Sequence, residues 1–260
     1  MPNPNYKFIS LTQAGPKAQI AFNRPDVRNA LNRQLIDETL DAVVRVSSDT
    51  RVLVLRGAGD KAFAAGADIA ELRERTTWTD IDFGPRRELA QRLESAPFPT
   101  MAALNGVALG GGFELALACH LRIAADHVKV GLPEIRLGVI PGNGGTVRLS
   151  RIVGSARALQ MMLLAEQIDA RTAEQLGLVN WVVPADQLVA ETARLAKRLA
   201  NGPTTAYGEA KRLMNQSLSA SMETQMEEEL FAFARCARTQ DLAEGVTAFV
   251  EKRKPVFKGQ

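Results

Sequence analysis

The chain has 260 residues, 46% hydrophobic and 23% charged, a composition that suits one folded domain with a sizeable core and argues against disorder. Its 32 basic and 29 acidic side chains leave a formal charge of +3, too slight to imply nucleic acid but compatible with a small anionic substrate. Two cysteines make no disulfide framework, and with only two histidines a zinc centre is not expected.

Residues Met1 to Tyr6 lack the apolar core of a signal peptide, and no apolar run reaches membrane-spanning length, so the expectation is a cytoplasmic protein with no membrane partner. Tyr6 to Thr12 and Gln19 to Phe22 read as a hairpin. Asn29 or Asn32 can cap a helix running to about Val46, with Leu31, Leu35, Ile36, Leu40, Val43 and Val44 on one face. Arg51 to Arg56 is a near-continuous apolar strand, the pattern of a strand buried on both sides among parallel neighbours. Small residues follow at its carboxyl end, Phe63 to Ile69, and Asp68 opens a helical stretch. Thr76 to Gly84 reads as a mobile loop, Arg86 to Ser95 as a helix, and Thr100 to Leu104 as a strand.

That strand feeds Asn105-Gly106-Val107-Ala108-Leu109-Gly110-Gly111-Gly112, a glycine-rich turn before an apolar helix from Phe113 to Cys119. Glycines let backbone approach a ligand, and the unpaired N–H groups of a helix start can hold developing negative charge. The pattern is neither a dinucleotide fingerprint nor a phosphate loop. Short strands over Arg122 to Ala125 and Val128 to Val130 precede Pro133-Glu134, and a second glycine-rich turn runs from Gly138 to Thr146. Helices follow over 147–152, 156–165 and 170–176, a strand over Val179 to Val183, and a helix over Leu188 to Ala200. Beyond Asn201-Gly202-Pro203 only helices are predicted, over 207–218, 222–238 and 242–252. A boundary near residue 200 separates a strand-bearing part, 1–200, from a helical part, 201–260. The strand–strand–helix rhythm of the first part fits either a layered spiral of small sheet units or a doubly wound α/β sheet.

Glu114 and Glu134 are acids flanked by apolar residues, each beside a glycine-rich segment. Two carboxyls at one site can divide acid and base work, because burial and mutual repulsion separate their pKa values. The structural alternatives are that Glu114 caps its helix and that Glu134 pairs with Arg136 or Arg122. Ala64-Ala65-Gly66-Ala67 offers a second run of accessible N–H groups, and two such groups from two segments can bind one carbonyl oxygen. His120 and His127 read as structural, and Cys119, inside an apolar run, carries no nucleophile signature.

Together, Ala62 to Ile69, Asn105 to Leu115, Pro133 to Gly138 and Ile140 to Thr146 resemble the enoyl-CoA hydratase/isomerase (crotonase) family, and Asn23-Arg24-Pro25 with Arg28 to Leu31 fit its opening. The resemblance implies a crotonase-like spiral of ββα units carrying the active site, with residues 201–260 as a trimerisation region and often a dimer of trimers. It implies an acyl-CoA substrate, with coenzyme A carried on that substrate and no other cofactor or metal. It puts the oxyanion hole at the N–H groups of Ala67 and Gly111 and the acid–base pair at Glu114 and Glu134. Having both acids points to hydration of a 2-enoyl-CoA, as in β-oxidation of fatty acids. The resemblance also puts Ala65, Asp68 and Ile69 against the substrate, Arg28 and the 252–258 segment near the CoA phosphates, and Phe257 at the closed end of the acyl pocket. His120, Asn143 and Val147 depart from the family's usual residues and bear on acyl specificity. The alternatives are an enoyl-CoA isomerase, a hydratase of a branched or dicarboxylic acyl-CoA, and a non-catalytic oligomeric interaction protein.

Overall fold

The computed structural model describes residues 5–46, 48–74 and 84–260. β1 (Ile9–Ala14) and β2 (Lys17–Phe22) form the expected hairpin, turning at Gly15 with φ +57°. Asn32 caps α1 (Arg33–Arg45), its side-chain oxygen accepting the Leu35 N–H at 3.0 Å. Asn29 does other work. It is fully buried with φ +54°, and its amide donates to the carbonyls of Ala58 and Ala62. Leu35, Ile36, Thr39, Ala42 and Val43 bury one face of α1, while Val44, expected on that face, points outward.

The chain continues through β3 (Val52–Gly57), β4 (Ala62–Ala64), α2 (Ile69–Arg73), α3 (Gly84–Ser95), β5 (Thr100–Leu104), β6 (Val107–Leu109), α4 (Gly111–Ala118), β7 (Leu121–Ala125) and β8 (Lys129–Gly131). After a 3-10 turn at Glu134–Leu137 come α5 (Gly145–Val153), α6 (Ser155–Leu163), β9 (Gln167–Asp169), α7 (Ala170–Gln175), β10 (Trp181–Val183) and α8 (Leu188–Ala200). Of the loop expected over Thr76 to Gly84, Gly84 begins α3 and the remainder lies outside the described residues.

One sheet runs β1-β2-β3-β5-β7-β10, parallel throughout except for β1. The other runs β4-β6-β8-β9, parallel except for β9. Each of β3, β5 and β7 in the larger sheet is therefore followed by a partner, β4, β6 or β8, in the smaller one. That is a spiral of ββα units, because a doubly wound fold would keep the strands in one sheet. β4, β6 and β9 were not anticipated: three residues are too few to display a period of two. Phe22 of β2 and Phe63 of β4 meet edge to face with ring centroids 5.3 Å apart, both fully buried between the sheets. Burying such a ring contributes about 1.5–3 kcal/mol.

The fold ends in α9 (Thr204–Gln216), α10 (Met222–Ala237) and α11 (Gln240–Val250), and no strand follows Val183 among the described residues. Ser221 and Thr239 cap α10 and α11. Lys211 of α9 donates to the carbonyls of Ala96 and Phe98, between α3 and β5, and so ties the helical region to the first sheet. Among the described residues no helix is long and apolar enough to cross a membrane.

Candidate active site

The two glycine-rich segments converge because glycine is what their contact admits. A Cβ on Gly112 would overlap the Ala64 carbonyl, so the end of β4 presses directly on the first turn of α4. Gly110 sits at φ +51° with Glu134 Oε1 3.0 Å from where a Cβ would stand, so a side chain there would meet both backbone strain and the carboxyl.

Beyond β4, the chain is pinned to Leu31. The Leu31 N–H donates to the Gly66 carbonyl at 2.8 Å and the Asp68 N–H to the Leu31 carbonyl at 3.2 Å, while the Ala65 N–H donates to Arg28 at 3.0 Å. Those bonds leave the Ala67 N–H without an acceptor among the described residues. Gly111, first residue of α4, is in the same position, since no earlier turn of helix supplies a carbonyl. Leu31 also lies 3.4 Å from the Gly111 Cβ position, which brings Ala67 and Gly111 to one neighbourhood.

Glu114 is 1% exposed in the first turn of α4. It does not cap its own helix. Its Oε1 accepts the N–H groups of Asn143 at 2.7 Å and Gly145 at 2.8 Å, from the second glycine-rich turn. Oε2 points to the Gly111 side, 3.9 Å from that residue's Cβ position. Burial raises the Glu114 pKa, and the amides of Asn143 and Gly145, with the more distant Arg148 charge, work against that rise.

Glu134 opens the 3-10 turn after β8, and its Oε2 is buried without a hydrogen-bond partner. Neither suggested arginine pairs with it: Arg122 donates to the carbonyls of Leu178 and Cys119, and Arg136 to that of Ala165. Burial pushes the Glu134 carboxyl up to about 7, and the Glu114 charge adds to the displacement. Two carboxyls thus flank the pair Gly110-Gly111, one embedded in amides and one with a buried oxygen, Glu134 Oε2, that has no hydrogen-bond partner.

Among the residues expected against a substrate, Ala65 and Asp68 flank the open Ala67 amide and Ile69 is exposed at the start of α2. The Asp68 carboxylate is occupied. It caps α2 through Ala70 and Glu71 and pairs with Arg24 at 2.8 Å, and these contacts outweigh burial to hold it below the usual carboxylate range. Arg28 is exposed in the left-handed region, φ +55°. Phe257 is not brought to the acids. It packs against Gly245 of α11 and lines a hollow with Pro203, Cys236 and Phe249.

His120 is structural: it accepts the Thr100 N–H at Nδ1, which leaves Nε2 to donate to the Glu94 carbonyl at 2.9 Å, and burial pushes its pKa down to about 3. His127 is exposed beside Asp126. Burial pushes the Cys119 thiol up to about 12, which leaves it unreactive. Among the described residues no three His, Cys, Asp or Glu side chains converge as metal ligands. Sequence reasoning passed over Arg148 and Glu94, whose guanidinium and carboxylate meet at 2.7 Å behind the Asn143 turn. Nothing in their spacing, 54 residues apart in sequence, signals that meeting.

The profile of the family described as enoyl-CoA hydratase/isomerase matches residues 15–260. The crotonyl-CoA hydratase of Syntrophomonas wolfei is 42% identical, over 97% of this chain and 98% of that one. The short-chain-enoyl-CoA hydratase of Clostridium acetobutylicum is 39% identical over 95% of each. The crystal structure of an enoyl-CoA hydratase from Bacillus anthracis superposes with a TM-score of 0.91 at 35% identity, covering 98% of this chain and all of the other.

Proposed function

Given that the chain belongs to the enoyl-CoA hydratase/isomerase family, we propose that it is an enoyl-CoA hydratase, adding water across the 2,3 double bond of a 2-enoyl-CoA to give the 3-hydroxyacyl-CoA. The observation that carries this reading is the pair of unlike carboxyls over Gly110-Gly111 beside two open amides. The thioester oxygen accepts hydrogen bonds from the N–H groups of Ala67 and Gly111, and the start of α4 favours the negative charge that develops as the enolate forms. Glu114, ionised, holds a water on Oε2 and takes its proton as the oxygen bonds to C3. Glu134, protonated, gives its proton to C2. After the step Glu114 holds a proton and Glu134 does not, and exchange with solvent restores the pair. No further cofactor is called on, since two amides and two carboxyls supply each proton and each charge.

The same reading makes Ala65, Ile69 and the backbone around Asp68 the wall beside the thioester. Arg28 is assigned to the CoA phosphates. Residues 1–200 form the catalytic part and 201–260 the assembly part, a trimer or dimer of trimers. Support for assembly comes from large apolar side chains that α10 and α11 leave exposed: Met226, Leu230 and Phe233, and Phe249 at 85%. Phe257, remote from its own chain's acids, would reach an acyl pocket only across such an interface. Two free cysteines suit a reducing cytoplasm.

The test is turnover of short, long and branched enoyl-CoAs, followed by loss of conjugated-thioester absorbance. Glu114→Gln and Glu134→Gln are each expected to lower kcat by ~10²–10⁴-fold. A Glu134→Gln enzyme that hydrated at the wild-type rate would remove that acid from the mechanism. Double-bond migration without hydration would replace the hydratase with an isomerase.

A further inference from the structure

The Asn143–Gly145 turn supplies both amides on Glu114 Oε1, so whatever fixes that turn fixes the base. The turn itself includes Gly144 at φ +90° and a glycine at 145, a sequence with little intrinsic stiffness. One side chain spans it. Arg148, in the first turn of α5, reaches back so that one guanidinium nitrogen donates to the Asn143 carbonyl at 2.7 Å. A second donates to Glu94 Oε2 at 2.7 Å. The planar fork therefore bridges the turn to the last residues of α3. Only 14% of the Arg148 side chain is exposed. The far end of the bridge is itself fixed: the Glu94 carbonyl accepts from His120 Nε2, and α9 grips the neighbouring Ala96 and Phe98 carbonyls through Lys211. His120 thereby acquires a purpose in the same assembly, as a neutral strut.

We infer that Arg148, braced by Glu94, is a positioning residue for hydration: it clamps the Asn143–Gly145 turn so that its two amides hold the Glu114 carboxylate toward the substrate. This rests on the reading of Glu114 as the base. Arg148 touches neither water nor thioester in this scheme and acts through Asn143. Among the described residues the charged groups around Glu114 are few. Glu134 faces it from the turn after β8 and Arg148 from α5, with Glu94 of α3 behind Arg148; Arg122 of β7 meets α4 at its far end, at Ala116 and Cys119, and β4 and β6 bring none. Removing Arg148 takes away both a clamp and the cation that, among the described residues, acts on the Glu114 charge.

The experiment separates these effects with three variants. In Arg148→Met, kcat is expected to fall ~10²-fold with KM little changed, the cost of a misplaced catalytic group. The acid limb of its pH–rate profile should move up, because the ionised base has lost a cation. Arg148→Lys restores the charge without the planar fork, so its acid limb returns toward that of the wild type while kcat stays low. Glu94→Gln keeps an acceptor and should lose less kcat than Arg148→Met. Carbon-13 carboxyl NMR, with the Glu114 signal assigned by its loss in Glu114→Gln, reads the shift without turnover, so a failed hydratase assignment and a failed clamp are told apart. If Arg148→Met does not fold, Arg148→Lys and Glu94→Gln carry the test. Wild-type kcat and an unmoved Glu114 titration in the variants that fold, or full recovery of kcat by lysine, would overturn the clamp.

Discussion

Burial holds the Glu134 carboxyl near about 7, and the neighbouring Glu114 charge pushes in the same direction. The same displacement that suits an acid for proton donation at neutral pH weakens the fold there. In the unfolded chain this group ionises at about 4.3, so below that pH both states carry the proton and folding gains its full share. As pH rises from there through about 7 the unfolded state sheds the proton first, and that share is lost. The loss would be about 4 kcal/mol at full burial, and about 1–2 kcal/mol for a carboxyl that solvent partly screens. Glu134→Gln is therefore expected to melt above the wild type at pH 8 and close to it at pH 4, in parallel thermal scans. An equal offset at both pH values would mean that the carboxyl ionises freely in the folded protein. At this scale the sequence was informative about which acids converge, since apolar flanks and adjacent glycines marked both. It was silent on how each is held, because the amides of Asn143 and Gly145 and the Arg148–Glu94 pair come from segments that only folding brings together.

The contact between β4 and α4 sets the distance between the two open amides. Gly112 is its tightest point, with the Ala64 carbonyl filling the space a side chain would need. Gly112→Ala must push the strand from the helix, and overpacking of this kind typically costs about 1–3 kcal/mol. We expect a lower denaturation midpoint and a loss of kcat/KM larger than that of Gly138→Ala, where the added Cβ meets open space, although φ +73° makes that change strained as well. Equal losses in the two variants would show that the β4–α4 spacing is not what matters. The long elements were legible: α1, β3, β5, β7 and the tail helices follow from apolar periodicity and caps. The strands β4, β6 and β9 were not, because their order comes from neighbours in the smaller sheet rather than from their own three residues. That omission is why sequence left a spiral and a doubly wound sheet equally open.

Across the whole molecule, two parts differ in what they leave uncovered. The sheets bury their apolar residues, whereas α10 and α11 expose Leu230, Phe233 and Phe249 beside charged neighbours. On the proposed assembly, Phe233→Glu with Phe249→Glu should shift the molar mass measured by light scattering from that of an oligomer toward the 28.2 kDa chain. A wild type already at the mass of one chain would contradict it. The central claim concerns where the oxygen of the product comes from. Turnover of crotonyl-CoA in oxygen-18 water, with mass spectrometry of the acyl product, tests it most directly. The account predicts one heavy oxygen at C3 of a 3-hydroxyacyl-CoA formed by the wild type, with its formation falling sharply in Glu114→Gln. A product with a moved double bond and no heavy oxygen, or undiminished labelling without Glu114, would contradict it.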